Sequence, residues 1–210
     1  MLILYIYSDY LFKYLFIGNK YVGKASLNYR FVEDDFSDDF VTAKGAIGVD
    51  FRIKTIEINS KICKLQIWNP DKGGERFKNI CSSYYRGADA IILTYDITSL
   101  ETFENLNYWL TEIDKNAPKD VYKILVGAKC DLENKREISI QQGKDFAEKY
   151  NMKFFETSSK KSINVFELFT TLTKELIKIK EAKKSQNSKH NAISKNNNNS
   201  NKNKKRCSIF

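Results

Sequence analysis

The chain has 210 residues and a mass of 24.4 kDa, with 42% apolar and 29% charged residues, the balance of a folded globular protein long enough to bury a full core. Its net charge is +9, but residues 181–210 hold eight Lys/Arg against one Glu, a net +7, which leaves +2 for residues 1–180. Basicity confined to a tail argues against a globular nucleic-acid binder and suits an anionic membrane surface. No apolar run is long enough to span a bilayer. The apolar segment Leu2–Tyr7 has no basic residue before it and no small-residue cleavage site after it, so a strand-extending or disordered tip is expected there, not a signal peptide. Cys63, Cys81, Cys130 and Cys207 follow no zinc spacing and suit reduced cytosolic thiols. The single histidine, His190, lies in the polar tail, which excludes a Ser-His-Asp triad and histidine-ligated metal in the folded part.

In chain order, apolar runs at Leu11–Ile17, Lys64–Trp68, Ala90–Tyr95, Tyr122–Val126 and Lys153–Phe155 predict strands, all but the amphipathic Lys64–Trp68 buried on both faces. Helical patterns occupy Lys24–Tyr29, Phe103–Asn116, Ile140–Tyr150 and Val165–Ile179. In the last, Val165, Leu168, Phe169, Leu172, Leu176 and Ile179 recur at helical spacing. Strands alternating with helices predict a mainly parallel sheet covered on both sides, with ligands beyond the carboxyl ends of its strands. After Ile179 the chain turns to Lys, Asn and Ser, including Asn196–Asn199, a composition that predicts disorder. There is no internal repeat. The expected organisation is an N-terminal extension (1–8), one α/β domain (9–180) and a disordered basic tail (181–210).

The first strand runs into Gly18-Asn19-Lys20-Tyr21-Val22-Gly23-Lys24, a GxxxxGK phosphate loop with a helix expected after it. The glycines let consecutive backbone N–H groups face phosphate oxygens, the helix N-terminus adds partial positive charge, and Lys24 reaches the terminal phosphates.

Further segments resemble the Rab proteins of the Ras-like small GTPase superfamily: Ile47-Gly48-Val49-Asp50-Phe51, Lys64-Leu65-Gln66-Ile67-Trp68, Glu75-Arg76-Phe77, Tyr84-Tyr85-Arg86-Gly87-Ala88 and Tyr95-Asp96-Ile97-Thr98, in family order over residues 9–180. The resemblance implies a G domain with a six-stranded, mostly parallel sheet flanked by five helices. It implies a membrane-associated guanine-nucleotide switch in vesicle traffic, binding GTP and GDP with Mg²⁺. It also implies Rab escort protein, GDP dissociation inhibitor and effectors as partners, and a monomer. Nucleic acid is not an expected partner. Ala46, Ile47, Gly48, Val49, Asp50, Phe51, Trp68, Phe77 and Tyr84 fall on the switch and effector surfaces.

Departures from the family fall on its chemistry. The hydroxyl Mg²⁺ ligand after the phosphate-loop lysine is Ala25, and Ser26 lies one helical step, about 100°, away. The switch I threonine position is Ala46, after an apparent insertion at Lys44-Gly45, with Thr42 a distant substitute. Asn69 replaces the acidic Mg²⁺ partner; in the longer Asn69-Pro70-Asp71-Lys72-Gly73-Gly74 segment, Asp71 is a candidate replacement carboxylate. Gly74 stands where the water-orienting glutamine belongs, so no catalytic residue is intact. Lys20, followed by Tyr21, aligns with the family's small residue facing the γ-phosphate and is expected to crowd the attacking water and any incoming arginine. The guanine motif is Ala128-Lys129-Cys130-Asp131: Asp131 keeps the carboxylate for guanine N1 and N2, Lys129 the cation that lies over the base, while the asparagine amide is lost at Ala128. Ser158-Ser159-Lys160 resembles the loop whose backbone supports the guanine oxygen. Weak guanine binding, a degraded Mg²⁺ site and very slow or absent hydrolysis are expected, with a pseudo-GTPase binding module as the alternative reading.

The chain ends Cys207-Ser208-Ile209-Phe210, a C-a-a-X pattern whose final Phe favours geranylgeranyl at Cys207, preceded by Lys202, Lys204, Lys205 and Arg206. A lipid plus a basic cluster is the two-signal anchor expected to hold the protein on the cytosolic face of a membrane.

Overall fold

The computed structural model describes residues 8–36, 50–70 and 81–204. The predicted features Leu2–Tyr7, Thr42, Lys44-Gly45, Ala46–Val49, Asp71, Gly73, Gly74, Phe77 and Cys207 lie outside the described residues. The chain divides into two units, Met1–Thr173 and Lys174–Phe210.

The first unit is built on a six-stranded sheet in the order β2-β3-β1-β4-β5-β6. Its strands are β1 (Tyr10–Ile17), β2 (Asp50–Ile58), β3 (Lys61–Asn69), β4 (Ala90–Asp96), β5 (Tyr122–Ala128) and β6 (Lys153–Thr157). Only the β2–β3 pairing is antiparallel. β4 sits mid-sheet and is buried at every position, as its unbroken apolar run predicts. β6 lies at an edge and is only partly buried, which corrects the expectation of burial on both faces.

β2 is absent from the apolar runs in the sequence. Its sequence DFRIKTIEI alternates, and it is the end strand of the sheet among the described residues, so it carries polar residues that a central strand would exclude. It is tied to β3 through a turn at Asn59 and Ser60, both at positive φ. The pairing puts Phe51 opposite Trp68 and Asp50 opposite Asn69.

Helices α1 (Lys24–Glu33), α2 (Cys81–Tyr85), α3 (Leu100–Glu104), α4 (Leu106–Asn116), α5 (Ile140–Lys149) and α6 (from Val165) flank the sheet. The single helix expected over Phe103–Asn116 is two, joined at Asn105. α5 starts at a capping box in which Gln142 N–H donates to Ser139 Oγ and Ser139 N–H to Gln142 Oε1. On one sheet face Leu15, Leu93, Tyr95, Leu106, Leu110 and Ala147 share a core. On the other, Phe169 stacks on Phe31 at 3.7 Å between ring centroids, with Tyr14 and Phe16 nearby. The Tyr14 hydroxyl pairs with that of Thr173 at 2.7 Å.

In the second unit, α6 continues to Lys204. It runs past Ile179 and through the residues whose composition predicts disorder. Neither proline nor glycine occurs between 165 and 204, so nothing in the backbone interrupts the helix. Lys178 pairs with Glu175 at 3.0 Å, and Ser185 Oγ donates to the Glu181 carbonyl at 3.0 Å. No helix among the described residues is long and apolar enough to cross a membrane.

Candidate nucleotide site

The carboxyl ends of β1, β4, β5 and β6 meet at one edge of the sheet. Asp96 aligns with Ala128, and Ala128 with Thr157. The predicted phosphate, lysine–aspartate and Ser158-Ser159-Lys160 loops leave β1, β5 and β6, and the predicted Asn69 position closes β3.

The loop after β1 is shaped by its glycines. Gly18 has φ 142, and a Cβ there would meet the Thr94 carbonyl oxygen at 2.1 Å. Gly23 has φ 110 and caps α1 without a side-chain hydrogen bond. No side chain caps the first turn of α1 and no acidic residue stands in it, so the positive end of the helix faces the loop without an opposing carboxylate of its own turn. Val22 is fully buried and anchors the loop. Lys24 is 3% exposed; its ammonium donates to the carbonyls of Gly18, at 2.7 Å, and of Asn19. Lys20 and Tyr21 are exposed, Tyr21 by 78%, so neither fills the loop's interior.

The base end joins three loops. Lys129 adopts φ 66, and its ammonium lies 2.5 Å from Asp96 Oδ2. Asp96 also accepts from the Thr98 N–H and hydroxyl. The cation expected over the base is thus held by an aspartate at the end of β4. A Cβ on Gly23 would lie 3.6 Å from Ala128 Cβ and 3.9 Å from Lys129 Cε, so the phosphate and base loops are in contact. Asp131 Oδ1 accepts from the buried Ser158 hydroxyl at 2.6 Å, and Ser158 Oγ accepts from the Lys161 N–H. That hydroxyl orients the carboxylate whose other oxygen can accept from a base. Burial, and secondarily the carboxylates of Glu156 and Asp131, push the Cys130 thiol above its usual range, so it stays protonated beside this pair at neutral pH.

Three residues that sequence reasoning missed stand beside the site loops, Arg30 and Phe36 at the base end and Trp109 at the phosphate loop. The Arg30 guanidinium donates to the Ser159 carbonyl at 2.7 Å, Lys160 Nζ stands 5.9 Å from the Phe36 ring, and the Trp109 indole N–H reaches Asn19. Each joins elements far apart in the chain, so no local pattern signals them.

The metal side differs. Ala25 offers only a methyl group. Asn69 is fully buried, and among the described residues neither polar atom of its side chain has a hydrogen-bond partner. Beside it in register, Asp50 accepts from Asn28 Nδ2 at 3.3 Å and from Arg52 Nε at 3.2 Å, while Asn28 Oδ1 is unpartnered. No group of three or more His, Cys, Asp or Glu suited to a metal occurs among the described residues. A phosphate cradle and a braced base carboxylate fit a nucleotide. On the metal side Ala25 carries no side-chain oxygen, and Asn69 offers an amide oxygen where the resemblance implies a carboxylate.

On the other side of β2 and β3, three of the predicted effector residues, Phe51, Trp68 and Tyr84, come together. Phe51, 41% exposed, lies 4.4 Å from Trp68 and Trp68 lies 5.8 Å from Tyr84, ring centroid to ring centroid. Lys13 Nζ stands 5.1 Å from the Trp68 ring.

The model of the Ras family matches residues 13–178. The GTP-binding protein ypt2 of Schizosaccharomyces pombe is 46% identical over 172 residues, 82% of this chain and 84% of its own length. Ras-related protein Rab-13 of Rattus norvegicus is 42% identical over 201 residues, 96% of this chain and 97% of its own. The GTP-binding protein YPT1 of Saccharomyces cerevisiae is 48% identical over 179 residues, 85% of this chain and 84% of its own.

Proposed function

The chain belongs to the Ras family as a Rab-like small GTPase, and from that premise we propose that it is a lipid-anchored protein of vesicle traffic whose guanine-nucleotide cycle has lost its metal. The observation that carries this reading is the contrast within one site. Lys24 and the glycines keep the phosphate cradle, and Asp131 is braced by Ser158. Asn69 meanwhile sits buried and neutral at the end of β3, and Ala25 directly follows the cradle's lysine in sequence. When bound, Mg²⁺ supplies charge neutralisation at the phosphates. In this chain Lys24 and the α1 N-terminus would hold the phosphates, Asp131 would select guanine over adenine, and Ser158-Ser159-Lys160 would support the base. Gly74 has no side chain with which to orient water.

The test is nucleotide analysis of purified protein with and without chelator. Weak guanine binding is expected, little altered by removing Mg²⁺ and stronger than adenine binding, with hydrolysis on the order of 10⁻⁴ s⁻¹ or slower. Stoichiometric GDP that leaves only on chelation overturns the reading.

The Phe51–Trp68–Tyr84 cluster favours a second reading, a pseudo-GTPase that recruits partners without cycling, because that surface is assembled by β2–β3 pairing and α2 and needs no metal. Rab escort protein, GDP dissociation inhibitor and effectors are its proposed partners.

For the anchor, Cys207 would carry geranylgeranyl, with Lys202, Lys204, Lys205 and Arg206 adding roughly 1 kcal/mol each at an anionic leaflet. The Cys207→Ser protein is expected in the soluble fraction after cell fractionation. Neutralising the four cations should leave a weaker, salt-sensitive membrane pool. A Cys207→Ser protein that still pellets with membranes places the anchor elsewhere.

A further inference from the structure

Trp109 stands on α4, outside every motif that points to nucleotide. Its indole N–H donates to the side-chain carbonyl of Asn19 at 2.7 Å, across 90 residues of sequence. Asn19 is the second residue of the phosphate loop, and its own backbone carbonyl receives the Lys24 ammonium. One residue therefore links a helix on the flank of the sheet to the lysine aimed at phosphate.

The helix end of this link is rigid. Leu106, Leu110 and Ile113 bury the inner face of α4 in the core. Tyr108 lies against the Trp109 ring, edge to face, at 5.2 Å between centroids. At the loop end Val22 is buried and the Lys24 ammonium holds the carbonyls of Gly18 and Asn19. Tyr21 is at positive φ and exposed, and the backbone N–H groups that face a phosphate cannot also close hydrogen bonds within the loop. Bound nucleotide and metal would ordinarily impose order on such a loop. Here Ala25 and Asn69 offer the metal little.

We propose that Trp109 is a positioning residue of the phosphate loop: through Asn19 it keeps the loop and Lys24 in their phosphate-receiving arrangement before any ligand arrives. Part of the cost of ordering the loop is then met on folding rather than on binding. The consequence for affinity rests on the guanine-nucleotide reading above; the consequence for the loop itself does not.

The test uses the full chain and four variants: Trp109→Phe, which keeps the aromatic body and removes the donor; Asn19→Leu, which removes the acceptor; their combination; and Asn19→Asp, which keeps an acceptor. Amide hydrogen exchange of residues 18–24 is measured without nucleotide. Exchange is expected to quicken roughly tenfold in the first two variants, by no more in the combination, and to stay near wild type in Asn19→Asp. Dissociation of a fluorescent GDP analogue from Trp109→Phe should quicken by a similar factor, while the thermal midpoint moves little. Unchanged exchange in both Trp109→Phe and Asn19→Leu, or effects that simply multiply in the combination, overturn the proposal even if GDP binds tightly. The expected exchange pattern in a protein that binds no GDP sinks the nucleotide reading and leaves Trp109 in its positioning role.

Discussion

The Gly18→Ala protein is expected to lose nucleotide binding by at least 100-fold and to unfold at a lower temperature. The added Cβ would lie 2.1 Å from the Thr94 carbonyl oxygen and 3.1 Å from its carbon, in backbone of the buried mid-sheet strand β4. Neither atom can move without disturbing pairing to β1 and β5. The φ of 142 adds strain for any side chain. Overpacking of about 1–3 kcal/mol and backbone strain of similar size make roughly 2–6 kcal/mol together. For a chain of this length each kcal/mol shifts the midpoint about 2–4 °C, so a fall of roughly 4–24 °C is expected. Gly87→Ala is the control: φ is 71, but no atom lies within 4 Å of the added carbon, so only the strain remains. Thermal unfolding and titration with a fluorescent GDP analogue measure both effects. Equal midpoints for the two variants would show that the loop gives way where the geometry says it cannot.

Restoring Ala25→Ser, Ala46→Thr and Asn69→Asp together should create Mg²⁺-dependent binding, with affinity at least tenfold above wild type and a gain larger than the three single gains combined. The three oxygens share one ion, so each is worth most when the others are present. Asn69→Asp alone carries the opposite expectation. Residue 69 is fully buried and, among the described residues, its polar atoms have no hydrogen-bond partner, so a carboxylate there is desolvated with no compensating charge among them. Its pKa in the folded state would rise above the unfolded value near 4. The sign follows from linkage: stability relative to wild type is nearly unaffected below that value and is lost as pH rises through the raised folded pKa. The single variant should therefore unfold at a lower temperature at pH 7 than at pH 4.5, measured against wild type at each pH. Mg²⁺ with GDP should remove the deficit in the triple variant. A triple variant as indifferent to Mg²⁺ as wild type would place the defect outside these three positions.

Much of this architecture is legible along the chain because its causes are local. The unbroken apolar run of β4 needs a place mid-sheet, and the run at Leu11–Ile17 ending in Gly18 needs a strand followed by a turn. Gly18, Gly23 and Lys24 announce a phosphate cradle since only glycine tolerates those backbone angles, and the structure puts them there. The substitutions at Ala25, Asn69 and Ala128 are equally visible, being identities rather than contacts. What the tertiary structure decided are relations across long separations. Strand β2 is half polar and becomes a strand only by pairing with β3. Lys129 is drawn to Asp96 because parallel register sets the ends of β4 and β5 side by side. Among the described residues Asn69 has no hydrogen-bond partner, and Trp109 has one in Asn19, because of what strand order and helix placement set around each. Propensity and periodicity are properties of neighbours in sequence. Burial, pairing and the environment of a buried amide are properties of neighbours in space, and those exist only once the sheet has chosen its order.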